Sequence, residues 1–118
     1  MVKHDGRALA QSQGVLLDRI FVSLSDQTRR HILRRLAKRP LTVSEIAAPY
    51  AVSLPAISKH LTVLEQAQLV RRKKRGRERV VYLRPQTLQT AAKHIAYYQK
   101  FWRAHLDALQ AYLEGGDL

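Results

Sequence analysis

Two helix starts lie close together in the middle of this chain, and a proline between them keeps the first helix short. Residues 42–45 have the form T-x-x-E of a capping box, in which Thr42 and Glu45 each satisfy an unpaired backbone amide at a helix start. Pro49 cannot keep a backbone hydrogen bond inside a helix, so this helix ends after a few residues. Ser53 predicts the next N-cap. The sequence therefore predicts two short helices joined by a tight connection, the arrangement of a helix-turn-helix.

The second of these helices, predicted over residues 53–66, has one apolar face and one face of small or hydrogen-bonding side chains. Ile57, Leu61 and Leu64 recur at i, i+4 and i+7, so we expect them to share a buried face. The opposite face has little bulk near the helix start and consists of Pro55, Ala56, Lys59, Thr62 and Val63, flanked by Ser58 and His60. A helix whose N-terminal end enters a DNA groove needs such a face, although an ordinary amphipathic surface helix would also show it.

Positive charge is clustered in two places. The 21 Lys and Arg residues against 9 Asp and Glu give a formal net charge of +12. One cluster spans residues 29–39 and the other spans residues 71–79. Clustered positive charge on a small domain indicates a polyanionic partner, most often nucleic acid, although a solubilising surface is the alternative.

A β-hairpin is predicted over residues 69–84, directly after the helix-turn-helix. Two β-prone arms flank Gly76, which can take the positive φ that a hairpin tip requires. A hairpin in this position is a wing, and its basic residues, which include Lys74, Arg75, Arg77 and Arg79, could follow a phosphate backbone. The alternative is a solvated hairpin whose charges prevent aggregation at the strand edge.

The segments on either side of this region predict amphipathic helices. From Val15 an apolar repeat indicates a first helix, and a second helix follows with Ser25 as its N-cap. From Pro85 to about residue 113, two rows that repeat every seven residues form a coiled-coil-like seam: Leu88, Ile95, Trp102 and Leu109, and Ala92, Gln99, Leu106 and Leu113. Such a wide apolar surface on one long terminal helix predicts a homodimer, with packing inside the monomer as the alternative.

Length and composition predict one soluble domain. We expect a single winged-helix domain over residues 15–114, with flexible ends at residues 1–14 and 115–118. No run has the length of a membrane span and the N-terminus has no signal-peptide core, so we expect a cytoplasmic protein that binds no membrane. The absence of cysteine excludes disulfides and thiolate metal sites. The histidines show no pairing with carboxylates at motif spacing, and no enzyme is predicted.

Three stretches resemble the ArsR-type winged-helix repressors: residues 24–30 (LSDQTRR), 41–47 (LTVSEIA) and 53–61 (SLPAISKHL). The likeness continues through the wing and covers roughly residues 15–113. It implies a mainly α-helical fold of about five helices with a two-stranded wing. It also implies a bacterial homodimer, paired through its first and last helices, that binds a palindromic operator and represses transcription. The predicted dimer interface is Leu17, Phe21, Leu88, Ile95, Trp102, Leu106, Leu109 and Leu113.

The resemblance also allows a test for metal sensing. Thiolate sensors carry Cys-Val-Cys where this chain has residues 42–44, Thr-Val-Ser, which offer no soft ligand. Another class has its ligands on the last helix. His94 and His105 have the correct separation, but Ala92 and Ala108 stand where the other ligands would be. Two imidazoles are a poor tetrahedral site, so no metal and no cofactor is predicted.

Double-stranded DNA is therefore the predicted partner, and the protein is expected at the nucleoid. Amides near Ser53, the cluster at residues 29–39 and the wing would hold phosphates. Lys59 can donate to guanine, while Pro55 and Ala56 can contact thymine methyls. Leu54 stands where a glutamine is common in the family, which removes a polar group that could read a base edge. The predicted DNA-binding set is Ser53, Leu54, Pro55, Ala56, Ser58, Lys59, His60, Lys74, Arg75, Arg77 and Arg79.

Two other hypotheses stay open from the sequence. A sequence-tolerant architectural protein, which coats DNA or binds RNA, is the alternative to the repressor. An effector-responsive switch would bind an unidentified small molecule or protein between the subunits, in a pocket lined by Tyr97, Tyr98, Phe101 and Trp102. Aromatic residues at helical spacing are nevertheless more often part of a core.

Overall fold

The computed structural model of the protein describes residues 6–115, with side chains from residue 14 onward. The elements in chain order are α1 (Gly6–Leu24), α2 (Gln27–Lys38), β1 (Leu41–Thr42), α3 (Val43–Ala47), α4 (Leu54–Gln66), β2 (Val70–Arg75), β3 (Glu78–Leu83) and α5 (Pro85–Gly115). The predicted fold class, a winged helix-turn-helix with five helices and a two-stranded wing, is confirmed. The chain forms two compact units that divide after Thr87. The predicted boundaries of the domain stay a prediction.

The first helix begins earlier than the apolar repeat indicated. α1 starts at Gly6, so residues 6–14, which were expected to belong to a flexible tail, are helical. Once a helix has begun, each further residue adds one backbone hydrogen bond, and no apolar stripe is needed for this. The expectations for residues 1–5 and 116–118 lie outside the described residues.

The N-cap of α2 is Asp26, so the prediction of Ser25 was wrong. The Asp26 carboxylate accepts a hydrogen bond from the Arg29 amide at 2.9 Å. The Ser25 hydroxyl instead donates to the Val22 carbonyl at 2.6 Å, which ties it to the end of α1. Ser25 is therefore occupied by the preceding helix, and the following residue caps the next one.

The Asp26 cap predicts a specific loss of stability in acid. The Arg29 amide that donates to its carboxylate holds the Asp26 pKa below its usual range. A lowered pKa means that the carboxylate stabilises the fold above its unfolded pKa, and that this contribution is lost as pH falls through the folded pKa. We expect Asp26→Ala to lower the unfolding free energy at neutral pH by about 1 kcal/mol. We also expect a smaller fall in Tm between about pH 5 and pH 2 than in the native protein.

Thermal melts across this pH range would test the prediction. Ser25→Ala is the matched control, because Ser25 is adjacent but does not cap α2. An acid dependence of Tm that is the same in Asp26→Ala and in the native protein would contradict the prediction.

The capping box and the apolar stripe of the helix-turn-helix are present as predicted. The Thr42 hydroxyl accepts from the Glu45 amide at 3.1 Å, and the Glu45 carboxylate accepts from the Thr42 amide at 2.8 Å. This second bond lowers the Glu45 pKa. Ser53 caps α4, since its hydroxyl accepts from the Ala56 amide at 3.3 Å. The core of the first unit contains the stripe of α4 together with residues of α1, α2, α3, β3 and the turn after α4: Ile20, Ile32, Leu36, Ile46, Ile57, Leu61, Leu64, Leu69 and Val81.

The wing belongs to a three-stranded antiparallel sheet with the order β1-β3-β2. Leu41 and Thr42 of β1 pair with Val81 and Val80 of β3. β1 is not predicted from the sequence, because two residues are too few for an alternating pattern. This strand exists because β3 offers a second edge to the segment that leads into α3.

The connection between α3 and α4 is fastened to α2 by Tyr50. The Tyr50 hydroxyl lies 2.6 Å from Nδ1 of His31, and the Arg35 guanidinium lies over the Tyr50 ring at 5.8 Å from its centroid. Arg35 also donates to the Ile46 carbonyl at 2.8 Å and to the Glu45 carbonyl at 2.7 Å. A single arginine thus satisfies carbonyls at the end of α3 and holds the turn that follows.

The last helix, α5, has 31 residues and a length of about 46 Å. Its seam residues from Ile95 onward are exposed in the single chain, whereas Leu88 is half-buried. Leu106, in the middle of the seam, is 56% exposed. Within residues 6–115, no helix has the length and hydropathy needed to cross a membrane.

Candidate nucleic-acid interface

α4 presents a row of exposed side chains along the face opposite its buried stripe. Pro55, Lys59, Thr62 and Gln66 lie at i, i+4, i+7 and i+11, and all four are exposed. We call these four residues the outward stripe. Lys59 makes no hydrogen bond or ion pair with the residues that the structure describes, so its three donors remain available to an external acceptor.

The two edges of the outward stripe have different surroundings. Ser58 is half-buried and lines a groove on the wing side. His60 is half-buried on the other edge, where its Nδ1 lies 3.2 Å from an Arg29 nitrogen and 3.9 Å from the Asp26 carboxylate. A guanidinium can only donate, so the shorter contact makes Nδ1 an acceptor and joins α4 to α2.

This contact between His60 and Asp26 brings together a histidine and a carboxylate that are far apart in the sequence. Motif spacing along the chain does not reveal such a pair. The prediction that His60 contacts a base stays a prediction. Within the protein, the His60 ring already contacts the Arg29 guanidinium.

In the wing, the strand register determines which basic residues share a face. Gly76 has φ +62° at the tip, as predicted. Arg72 pairs with Val81 and Lys74 pairs with Arg79, so these four side chains lie on one face of the hairpin. Val81 is buried, and this is therefore the inner face. Lys74 and Arg79 are like charges directly opposite each other, an arrangement that is unfavourable unless an anion lies between them.

Arg72 is a basic wing residue that joins the wing to α4. Its Nη2 donates to the Glu65 carboxylate at 3.0 Å and to the Thr62 hydroxyl at 3.1 Å, and its Nε donates to the same Glu65 oxygen at 3.3 Å. The side chain is 16% exposed. From the sequence, Arg72 is predicted only as one member of the basic cluster at residues 71–79. Its position two residues after the apolar Val70 was a signal that it faces inward.

Removing this link is expected to loosen the wing. Arg72→Ala should lower the unfolding free energy by about 1 kcal/mol, less than for a fully buried charged hydrogen bond because Glu65 is 40% exposed. It should also accelerate amide hydrogen exchange in β2 and β3. Lys73→Ala is the matched control, since Lys73 is exposed in the same strand and its side chain has no hydrogen-bond partner in the described part of the chain. Equal exchange rates in the two variants would refute a positioning role for Arg72.

An open groove of about 350 Å³ lies between the start of α3, α4 and the wing. Its lining combines hydroxyl groups with arginines: Thr42, Val43, Ser44, Ser58, Arg72, Arg77, Glu78 and Arg79. A second hollow of about 310 Å³ is lined by Glu65, Arg72, Lys73, Lys74 and Arg79. The side chains of Lys74, Arg77 and Arg79 form no hydrogen bond or ion pair within residues 6–115, so their charges are available to an anion such as a phosphate.

The basic cluster at residues 29–39 is used mainly inside the protein. Arg29 donates to the carbonyls of Ser23 (2.9 Å) and Val22 (3.1 Å), and Arg30 donates to that of Leu24 (2.8 Å). These bonds satisfy carbonyls at the end of α1. Arg35 does the same for the carbonyls of α3. The prediction that the whole cluster holds phosphates therefore remains only for the members whose side chains are not used in these internal bonds. Arg34 and Lys38 are exposed and have no such partner among the described residues.

The structure places the other predicted residues as follows. In the DNA-binding set, Ser53, Leu54 and Arg75 are exposed and Ala56 is half-buried. In the dimer set, Leu17 and Leu88 are half-buried, and the remaining members are exposed. The two histidines with metal-ligand spacing contact aromatic rings, His94 with Tyr98 at 5.0 Å and His105 with Phe101 at 6.2 Å between centroids. The described residues contain no group of three or more His, Cys, Asp and Glu that could hold a metal ion.

Known proteins are similar to this chain in both sequence and fold. Residues 24–73 match a family described as a helix-turn-helix domain. The chain is 42% identical over 85 residues to the HTH-type transcriptional regulator Rv2034 of Mycobacterium tuberculosis, a match that covers 72% of this chain and 77% of that protein.

Solved structures give the same result. The crystal structure of the ArsR family transcriptional regulator RHA00566 has a TM-score of 0.71 and 36% sequence identity, and the match covers 75% of this chain and 97% of that one. The homodimeric winged helix-turn-helix DNA-binding domain Mb0332 of Mycobacterium bovis has a TM-score of 0.60 over 92% of this chain and 95% of its own. At 23% identity, this second match shows the fold alone. From the fold, the exposed basic wing and these relatives together, the chain belongs to the ArsR family of winged helix-turn-helix transcriptional regulators, and so to a family of DNA-binding proteins rather than enzymes.

Proposed function

We propose that the protein represses transcription by binding a palindromic operator as a homodimer, at the nucleoid in the cytoplasm. The observation that carries the proposal is the exposed outward stripe of α4 beside a groove whose lining includes Arg77 and Arg79, two wing arginines whose side chains have no partner within residues 6–115. The major groove of B-DNA is about 12 Å wide and admits one α-helix. A dimer that covers a stretch of duplex would exclude the transcription machinery from it, and this is the physical basis for repression.

The two parts of the interface have different tasks. Lys59, which projects from the outward stripe, would donate to guanine O6 or N7, with Ser58 and His60 as neighbouring base contacts. Lys74, Arg75, Arg77 and Arg79 would hold phosphates and thereby fix the register of α4 on the duplex. The groove between Ser58 and the wing is where these two kinds of contact meet.

The homodimer is proposed from the apolar surface of α5. A two-fold axis would place a second α5 seam on the first, and the exposed residues from Ile95 to Leu113 would then leave water. Leu17 and Phe21 of α1 would complete the interface. The structural neighbour from Mycobacterium bovis is described as homodimeric, which supports the same assembly here. The two recognition helices would enter half-sites about one helical turn apart, some 34–36 Å.

Metal is not the proposed signal. The sequence has no cysteine, so it lacks the soft thiolate ligands of arsenic-type sensors. His94 and His105 lie against aromatic rings and have Ala92 and Ala108 at the positions of the other family ligands. An unidentified small molecule or partner protein is the remaining proposal for an effector.

Selection of duplexes from a random pool, repeated at two salt concentrations, tests this function. We expect an enriched palindrome whose affinity falls with salt. A reporter driven through that palindrome should lose expression when the protein is present. Enrichment without a palindrome, or diffuse protection of any duplex, would favour the sequence-tolerant architectural protein, and a gain in reporter expression would contradict repression.

A further inference from the structure

The leading end of α4 is apolar and exposed. Val52 and Leu54 are each 52% exposed, and Pro55 beside them is exposed as well. The apolar residues further along α4, Ile57, Leu61 and Leu64, are fully buried. Leu54 is therefore not part of the core.

Single exposed apolar residues are common on protein surfaces and need no explanation. Here three of the four residues from Val52 to Pro55 are apolar and exposed, and they occupy the end of the helix that enters the groove in this mode of binding. The fourth, Ser53, has its hydroxyl oxygen engaged as the N-cap. This end of α4 thus presents mostly hydrocarbon to the base edges.

Among the four standard bases, only thymine presents a methyl group in the major groove. Its C5-methyl lies beside the O4 acceptor, whereas adenine, guanine and cytosine are distinguished there by hydrogen-bond donors and acceptors. A leucine side chain has no donor or acceptor, so it would desolvate those polar edges without replacing their hydrogen bonds. Contact with a thymine methyl instead removes apolar surface of both partners from water.

We propose that Leu54 recognises thymine in the operator through the 5-methyl group of that base. The inference rests on the proposed function and adds to it the base and the chemical group that are read. Lys59, about one and a half turns further along α4, reads a separate base pair by hydrogen bonding. Phosphate contacts such as those proposed for the wing carry no sequence information, so a base contact at this end of α4 would add specificity.

Replacement of thymine by deoxyuridine tests the proposal, because it removes the methyl group and leaves base pairing unchanged. The probe is the duplex enriched from the random pool, with each thymine of one half-site replaced singly. We expect one or two positions at which the native protein binds about fourfold more weakly per methyl group lost. At these positions, a T·A pair changed to 5-methylcytosine·G should bind more tightly than the same pair changed to C·G.

The variant Leu54→Ala should lose this discrimination, so that thymine and deoxyuridine duplexes bind alike at the sensitive positions. Leu54 is exposed, and an unchanged Tm would show that the fold is intact. Lys59→Ala is the matched control: it should weaken binding to both duplexes and keep their ratio.

The outcomes separate the two proposals. If the pool yields no enriched duplex, sequence-specific binding itself fails and this inference fails with it. If an enriched duplex exists but tolerates deoxyuridine everywhere, the proposed function stands and methyl recognition is refuted. If the deoxyuridine effect persists in Leu54→Ala, the methyl group is read by another residue and the assignment to Leu54 is overturned.

Discussion

The substitution Leu106→Asp is expected to convert the protein to a monomer and to weaken its binding to the palindrome by about 10² to 10⁴. Leu106 lies in the middle of the α5 seam and is 56% exposed in the single chain. In a two-fold dimer the substitution would place two carboxylates in an apolar interface, and each costs several kcal/mol to desolvate. Binding of a second half-site would then no longer be intramolecular.

Light scattering after size exclusion and titration of the selected duplex would measure the two effects. Ala104→Asp is the matched control: it makes the same change of charge in the same helix, but helical periodicity places it opposite the seam. It should remain dimeric and bind normally. A Leu106→Asp protein that stays dimeric would show that the seam is not the interface.

The double substitution Lys74→Gln and Arg79→Gln is expected to weaken binding to every duplex in parallel. The two residues are opposite each other on the inner face of the wing, and neither side chain has a hydrogen-bond or ion-pair partner in the described part of the chain. If each holds one phosphate, the slope of log K against log salt should become less steep by about 2. Titration at four or more salt concentrations would give this slope for the native and the variant protein.

Two comparisons sharpen the test of the wing. Lys93→Gln with Lys100→Gln removes the same charge from α5 and should leave the slope nearly unchanged. Lys59→Ala should instead relax the preference at particular base pairs, by about 1–3 kcal/mol, with a smaller change of slope. If the wing variant and Lys59→Ala had the same effect on affinity and on base preference, the division between phosphate and base contacts would be wrong.

The parts of the fold that the sequence predicted depend on neighbours in the chain. The Thr42–Glu45 capping box, the Ser53 cap and the positive φ of Gly76 each involve residues within a few positions of one another. The buried stripe of α4 follows from the helical period alone. These features could be identified in advance because local geometry determines which groups can meet.

Other features require a partner that is far away in the sequence. β1 needs the edge of β3, and Tyr50 needs His31 and Arg35 of α2. The Asp26 cap was misplaced by one residue because Ser25 is occupied by the end of α1. No local pattern contains this information.

For the basic residues, the sequence alone does not show which side chains are available to bind DNA. The sequence determines how many there are and where they are clustered, but it does not distinguish an arginine that binds a phosphate from one that supports the fold. Arg29, Arg35 and Arg72 satisfy internal carbonyl or carboxylate oxygens, whereas Arg77 and Arg79 have no such partner in the described residues.

The sequence by itself thus determined the caps of α3 and α4, the buried stripe of α4, the wing and the total charge, because caps, helical period and strand alternation act over short distances along the chain. Only the tertiary structure decided which charged groups are already hydrogen-bonded and which side chains remain exposed. The reason is that a hydrogen bond made inside the protein uses the same donors that a phosphate or a base would need. Leu54 belongs to the second category: its identity was known from the start, but its exposure at the leading end of α4 became known only from the fold.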